Sequence, residues 1–253
     1  LEFEDPQDSQ MYVVTLKYSK PQIEVKAKTQ LAIVVDDFGI QNNKLLDNFC
    51  SLNENITFAI LPDQKHSKHV MKKADETGHE TMIHIPMEPI SYPRDNPGTN
   101  AIYVHLSEKE IKRRMESYVK QFPLCVGANN HMGSFATTDE SVMRSVLQVL
   151  KDHGLYFVDS RTSQSSVAYD VAKRMMIPTF ENQIFLDTPR ITEKTLTNKI
   201  KQLKYLANDQ EKILVITHCT TEEKYKFLKE FVKEIEKLNF KLVPVSDLFK
   251  SKL

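Results

Sequence analysis

Short apolar runs recur along this chain, each followed by a stretch whose apolar residues fall at helical spacing. The clearest, Leu31-Ala-Ile-Val-Val35, is unbroken by any polar residue and meets a breaker too soon for a helix, so it reads as a strand buried on both faces. Comparable runs stand at 56–61, 80–84, 124–128, 155–158, 179–185 (with a kink) and 213–217, and a last one at 240–245. Helices are expected between them at about 42–52, 66–77, 107–122, 139–153, 162–175, 192–207 and 221–238. Ser107 and Glu110 form a capping box for the third of these. Strands alternating with helices must pair in parallel through right-handed crossovers. Seven or eight such units predict an α/β fold: a single irregular (β/α)7-type barrel, TIM-barrel-like, with parallel strands, over residues 30–253. Residues 1–29 are expected to be a partly loose N-terminal extension with one candidate strand at 11–17.

Composition removes several functional classes. The chain carries 34 basic and 34 acidic residues, so no global charge favours nucleic acid or an anionic membrane. No glycine-rich loop follows any strand, which argues against a nucleotide. Cys50, Cys125 and Cys219 are widely spaced and form neither a disulfide framework nor a zinc knuckle. No run is long enough for a transmembrane helix. The chain opens on Leu1 without a Met, from which a removed N-terminal signal or anchor is expected, and with it a periplasmic, secreted or envelope-associated location. The sequence carries no signal of oligomeric state.

The polar residues at the strand ends are the informative ones. In a parallel barrel all C-terminal strand ends converge on one face, where the chemistry sits. The first strand runs into Asp36-Asp37-Phe38-Gly39. Adjacent strand residues point to opposite faces, so these two carboxylates have different surroundings unless the strand has ended. One of them also fits as a cap for the helix that follows. The third strand ends in His84, followed by Glu88 within a proline-rich loop over 85–106. The fourth runs into Asn129-Asn130-His131, the fifth into Asp159-Ser-Arg161, and the seventh into His218. Three histidines and four carboxylates on one face are too many for packing, and imidazole with carboxylate suits zinc or another first-row divalent metal. The remaining histidines, His66, His69, His79, His105 and His153, read as surface residues.

Those motifs, in that order, resemble the divergent branch of the polysaccharide deacetylases, carbohydrate esterases with a NodB-like barrel. Val35-Asp36-Asp37-Phe38-Gly39 is similar to the family's first motif, and Ile216-Thr217-His218 to its last. The ordinary His-Ser/Thr-x-x-His motif is replaced by His84-x-x-x-Glu88, and Asn129-Asn130-His131-Met132-Gly133-Ser134 stands where an Arg-x-x-Tyr type motif is usual. The resemblance spans about residues 30–247. It implies a metal-dependent hydrolase that removes acyl, chiefly acetyl, groups from a cell-wall glycan such as peptidoglycan. It implies Asp36 as the catalytic base and His218 as the acid. Asp37 and His84 are implied as ligands of a divalent metal, zinc first, and His131 is preferred to Glu88 as the third. Glu88 is kept as a reserve ligand or as a brace for the His84 ring. Asp159 and Arg161 fit either an Asp/Arg couple that orients base or substrate, or a structural ion pair. Asn130 fits either a ligand-orienting role or the cap of the fourth helix. The competing expectation is a non-catalytic glycan-binding or regulatory protein that keeps the cleft and serves a cell-wall remodelling enzyme.

Overall fold

The computed structural model describes residues 2–4, 11–13, 29–238 and 240–250. Strands β1 (Glu2–Glu4) and β2 (Met11–Val13) pair antiparallel with each other. The rest of the expected extension, including most of the candidate strand at 11–17, lies outside the described residues. From residue 30 the chain alternates as expected: β3 (Gln30–Phe38), α1 (Lys44–Cys50), β4 (Thr57–Ile60), α2 (Ser67–Glu76), β5 (Thr81–Met87), α3 (Glu108–Gln121), β6 (Gly127–Met132), α4 (Glu140–Asp152), β7 (Tyr156–Asp159), α5 (Ala168–Arg174), β8 (Thr179–Glu181), β9 (Ile184–Phe185), α6 (Thr195–Ala207), β10 (Lys212–His218), α7 (Glu222–Glu236) and β11 (Lys241–Leu242). Among the described residues no helix is long and apolar enough to cross a membrane.

Every pairing in the large sheet is parallel, in the order β8-β7-β6-β5-β4-β3-β10-β9. The two edge strands, β8 and β9, are consecutive in the chain and joined only by Asn182 and Gln183. Two residues span at most about 10 Å, so a sheet whose edges are tied this closely must curl. The same two residues stitch the seam. Asn182 N–H donates to Asp159 on the β7 side at 2.9 Å. Gln183 N–H donates to Leu214 on the β10 side at 3.1 Å, and its Oε1 accepts Leu214 N–H at 2.9 Å. The fold is a (β/α)7 barrel in which one kinked strand serves both edges.

Strand alternation divides the core in two. Leu31, Ile33 and Val35 face the helices, together with Ile83, Ile85, Ala128, Phe157, Ile213 and Val215. Ala32, Val34, Ala59, Met82, Tyr156, Val158, Leu214 and Ile216 face the barrel interior. Both faces of each strand are therefore apolar, which is why the runs appear unbroken in sequence.

Three expectations need correction. The fourth strand is β6 at Gly127–Met132, not 124–128: Leu124 and Val126 are exposed, and the strand begins where Gly127 lets the Tyr156 ring pack on the backbone. A Cβ at Gly127 would stand 2.2 Å from that ring. The fifth helix starts at Ala168, because 162–167 is taken up by the turn after β7. The last strand shortens to β11, which pairs with the start of β3, and Val245–Phe249 forms a 3-10 turn.

Candidate metal centre and active site

The inward stripe of each strand continues past the apolar core into the site. Ala32 and Val34 lead to Asp36, Met82 leads to His84, and Leu214 and Ile216 lead to His218, each two residues further along the same face. Register then makes neighbours of them. His218 on β10 stands beside Asp36 on β3, His84 on β5 beside Asn129 on β6, and Pro86 beside His131.

Asp37 has the wrong parity for this face, and a bulge corrects it. From Val35 to Phe38 β3 advances three residues while β4 advances two, from Phe58 to Ile60. The extra residue lets the strand turn, and Asp37 takes a φ of 71°. Both carboxylates thereby line one cleft of about 340 Å³ with His84, His131 and His218, and Phe185 and Thr188 form part of its wall.

Three ligand atoms converge. His131 Nδ1 lies 3.0 Å from Asp37 Oδ1, His84 Nε2 lies 3.4 Å from the same oxygen, and the two ring nitrogens are 3.1 Å apart. Ligands about 2.0–2.1 Å from a tetrahedral zinc stand roughly 3.3 Å from one another. Asp37 Oδ1 is buried without a well-aligned hydrogen-bond donor among the described residues, although a ring nitrogen is 3.0 Å away. A carboxylate oxygen and two ring nitrogens this close together, the oxygen lacking an aligned donor, fit a shared cation. Asp37, His84 and His131 are also the cluster of such side chains, among the described residues, that can hold a metal ion.

Asn129, fully buried, orders this cluster. Its Nδ2 donates to Asp36 Oδ1 at 2.8 Å, and its Oδ1 stands 2.8 Å from His84 Nδ1. A carboxamide oxygen only accepts, so His84 carries a proton on Nδ1 and turns Nε2 toward Asp37 and His131, the nitrogen that would face a metal. On the other side, His218 Nδ1 lies 3.0 and 3.1 Å from the two oxygens of Asp187, which also pairs with Lys224 Nζ at 2.9 Å. That leaves His218 Nε2 as the nitrogen free to act.

The electrostatics separate the two adjacent aspartates. Burial raises the Asp36 pKa above the ordinary carboxylate value, and the Asp37 charge adds to it, against opposition from His84, His218 and the Asn129 amide. Burial acts on Asp37 in the same sense, but the His131 and His84 contacts together overcome it and hold the carboxyl ionised. Burial pushes His218 down, yet Asp187 and Asp36 more than offset this and raise it.

Other expected site residues are placed differently. Glu88 does not touch the His84 ring: its Oε2 accepts Val104 N–H at 2.8 Å, and its backbone carbonyl accepts from Phe135 and Ala136. Asp159 accepts Arg161's backbone N–H at 2.8 Å, not its guanidinium, and also bonds the Ser166 hydroxyl and Tyr169 N–H. The Arg161 Nε pairs instead with Glu181 at 3.2 Å. Asn130 lines the cleft and ties β6 to the turn after β7 through Ser160 N–H and Thr162; Asp139, not Asn130, caps α4. His79, expected at the surface, is buried and stacks on Phe58 at 4.3 Å. Asn129 and Asp187 were not expected. Asp187 carried a signal, as a carboxylate right after the apolar Ile184-Phe-Leu186; a buried Asn129 cannot be told from a loop asparagine by type alone.

Comparison with known proteins agrees with this barrel and its ordered motifs. The model of the divergent polysaccharide deacetylase family matches residues 33–249, and the chain belongs to that family. It is 37% identical over 161 residues to the Escherichia coli protein YibQ, covering 62% of this chain and 49% of that one. The chain spans about half the length of the curated relatives it matches. Among solved structures it is similar to protein ATU2773 of Agrobacterium tumefaciens, with a TM-score of 0.79 at 23% identity, covering 88% of this chain and 89% of that one. It also resembles the catalytic domain of a peptidoglycan N-acetylglucosamine deacetylase from Eubacterium rectale, with a TM-score of 0.55 at 13% identity, covering 91% and 92%. At these identities the structural likeness speaks for the fold.

Proposed function

We propose that this chain is a metal-dependent hydrolase that removes acetyl groups from N-acetylated sugars of a cell-wall glycan. The observation that carries this is one cleft holding a three-ligand cluster, a buried carboxylate with a raised pKa, and a histidine backed by a carboxylate. Asp37, His84 and His131 would hold the cation, with zinc favoured by two imidazoles and one carboxylate. Such a cation supplies a Lewis acid for the acyl carbonyl and makes water acidic enough to attack near neutral pH.

The chain's own residues move the protons. Asp36, a better proton acceptor for its raised pKa, takes the proton of the attacking water. The water oxygen bonds the acyl carbon, the C–N bond breaks, and His218 Nε2 gives its proton to the departing amine. Asp187 fixes the His218 ring and favours its charged form before that transfer. Asn129 keeps the Asp36 and His84 side chains in place. The products are acetate and a free amino sugar. The reading carries with it a periplasmic or envelope location, where such a glycan lies.

Metal content and acetate release test it together. Purified protein supplied with zinc should retain about one equivalent and release acetate from N-acetylated oligosaccharides or peptidoglycan. His84→Ala should lose both metal and turnover. Wild type that stays metal-free after reconstitution and releases no acetate leaves only the competing reading, a protein that recognises wall glycan without chemistry.

A further inference from the structure

A second depression opens beside the catalytic cleft. It measures about 760 Å³, more than twice the cleft, and lies along the β8–β9 segment and α6. Phe185 and Thr188 line both, so the two spaces share a wall. The Phe185 ring runs parallel to the His218 ring, 6.0 Å away. Beyond that wall lie Ile184, Leu206 and Tyr205, the last 66% exposed. Two lysines, Lys199 and Lys201, line the same depression, and neither is in a salt bridge among the described residues. Burial holds the Lys199 ammonium below the ordinary lysine value, against the attraction of the Asp187 carboxylate.

We propose that this groove binds the stretch of glycan next to the acylated sugar and selects chains that carry carboxylates there. The inference rests on the deacetylase reading for its direction but adds a requirement of its own. An exposed tyrosine and a phenylalanine offer flat apolar faces, which suit the C–H face of a sugar ring. Two ammonium groups lining the same groove, neither in a salt bridge among the described residues, gain from an anion, whereas a neutral chain leaves them as they are. Phe185 and Thr188 belong to both spaces, so a chain seated in the groove that crosses them reaches the cleft holding Asp36 and His218. Lys199 and Lys201 are the charge-reading residues, and Tyr205 is the stacking one.

Binding to the full chain, measured by calorimetry at low and at 0.15 M salt, tests this without reference to turnover. The probes are a hyaluronan hexasaccharide, which alternates N-acetylglucosamine with a uronate, and N-acetylchitohexaose, neutral and of equal length. The acidic chain should bind more tightly, and the preference should shrink with salt. Lys199→Gln and Lys201→Gln should each cost about threefold for the acidic chain and leave the neutral one unchanged. Tyr205→Ala should weaken both by roughly five- to tenfold. Equal affinity for the two chains, or lysine variants that bind the acidic chain like wild type, would overturn the proposal. So would self-association in sedimentation that Tyr205→Ala abolishes, since a second copy would then be the occupant. Charge-selective binding without acetate release keeps the groove and removes the deacetylase. Acetate release without charge selectivity does the reverse.

Discussion

The inward cluster around Asp36 and the helix-facing cluster around Asp159 sit at the ends of strands in one barrel and are built from similar residues. They differ by one position in the strand period. Asp36 follows Ala32 and Val34 on the interior face, whereas Asp159 stands one residue after the interior-facing Val158. Asn129 and Asn130 divide the same way. Asn129 joins Asp36 to His84, and Asn130 joins β6 to the turn after β7. In the second cluster both oxygens of Asp159 are taken by two backbone N–H groups and a hydroxyl, which is how a buried carboxylate is made cheap. In the first cluster Asp37 Oδ1 is left without an aligned donor and several charges share one cleft. A polar group that a fold has fully satisfied is part of its frame; one left open to a cavity is available for chemistry.

Substitutions of like kind in the two clusters should break along this line. The largest effect is expected for Asp36→Asn, which should lower kcat for acetate release by about 10²–10⁴-fold while metal content stays at the wild-type level. Asn129→Leu should come next. It strips the donor from Asp36 and the acceptor from His84 Nδ1, so zinc affinity should fall by about 10–100-fold in a competition titration with a chromophoric chelator. Asp159→Ala should leave kcat and metal alone and cost roughly 2 kcal/mol of stability, read as a melting temperature lower by several degrees. A loss of turnover per folded molecule in Asp159→Ala would erase the distinction between the clusters.

How much of this was legible follows from the same period. The strand β3 is plain in sequence because both of its faces are apolar, and the ordering of strand-end motifs located Asp36, Asp37, His84, His131 and His218. The β6 strand was placed three residues early because its own residues, Gly127-Ala-Asn-Asn-His, look like a loop, while exposed Leu124 and Val126 look like core. With that register lost, the parity that separates Asn129 from Asn130 was lost too. Counting in twos from Tyr156 and Val158 would have set Asp159 on the helix side. The bulge at Asp37 has no such signal, since a non-glycine residue at φ 71° is held there by its surroundings. His79 escaped notice because the stacking on Phe58 that buries it joins separate elements.

Within the inward cluster, Asp187 provides a graded test. The rate should rise with pH as Asp36 loses its proton, then fall as His218 loses its own. Asp187 stabilises the charged imidazole, so its removal lowers the His218 pKa. Lys224, left without its partner, pushes in the same direction. In Asp187→Asn the alkaline limb of kcat/KM should therefore move toward lower pH by about one unit, while the acidic limb stays nearer its place. An alkaline limb that does not move would mean that a different group delivers the proton.

The smallest effect is expected at Glu88, and there it is the smallness that informs. Glu88 occupies the position where a second histidine is usual in this family's ordinary members, which makes it the obvious candidate for a ligand. Its carboxylate instead accepts Val104 N–H, and its backbone holds the chain at Ile102, Phe135 and Ala136. This brace joins the end of β5 to the loop that precedes α3. Glu88→Gln keeps an oxygen able to accept the Val104 N–H and removes only the charge, so it should cost under about 1 kcal/mol in thermal or denaturant unfolding. Zinc affinity should match wild type. A ligand would behave otherwise, because an amide oxygen is a far weaker donor to zinc than a carboxylate. If Glu88→Gln loosens zinc as strongly as Asn129→Leu does, then Glu88 belongs to the inward cluster and His131 is not the third ligand.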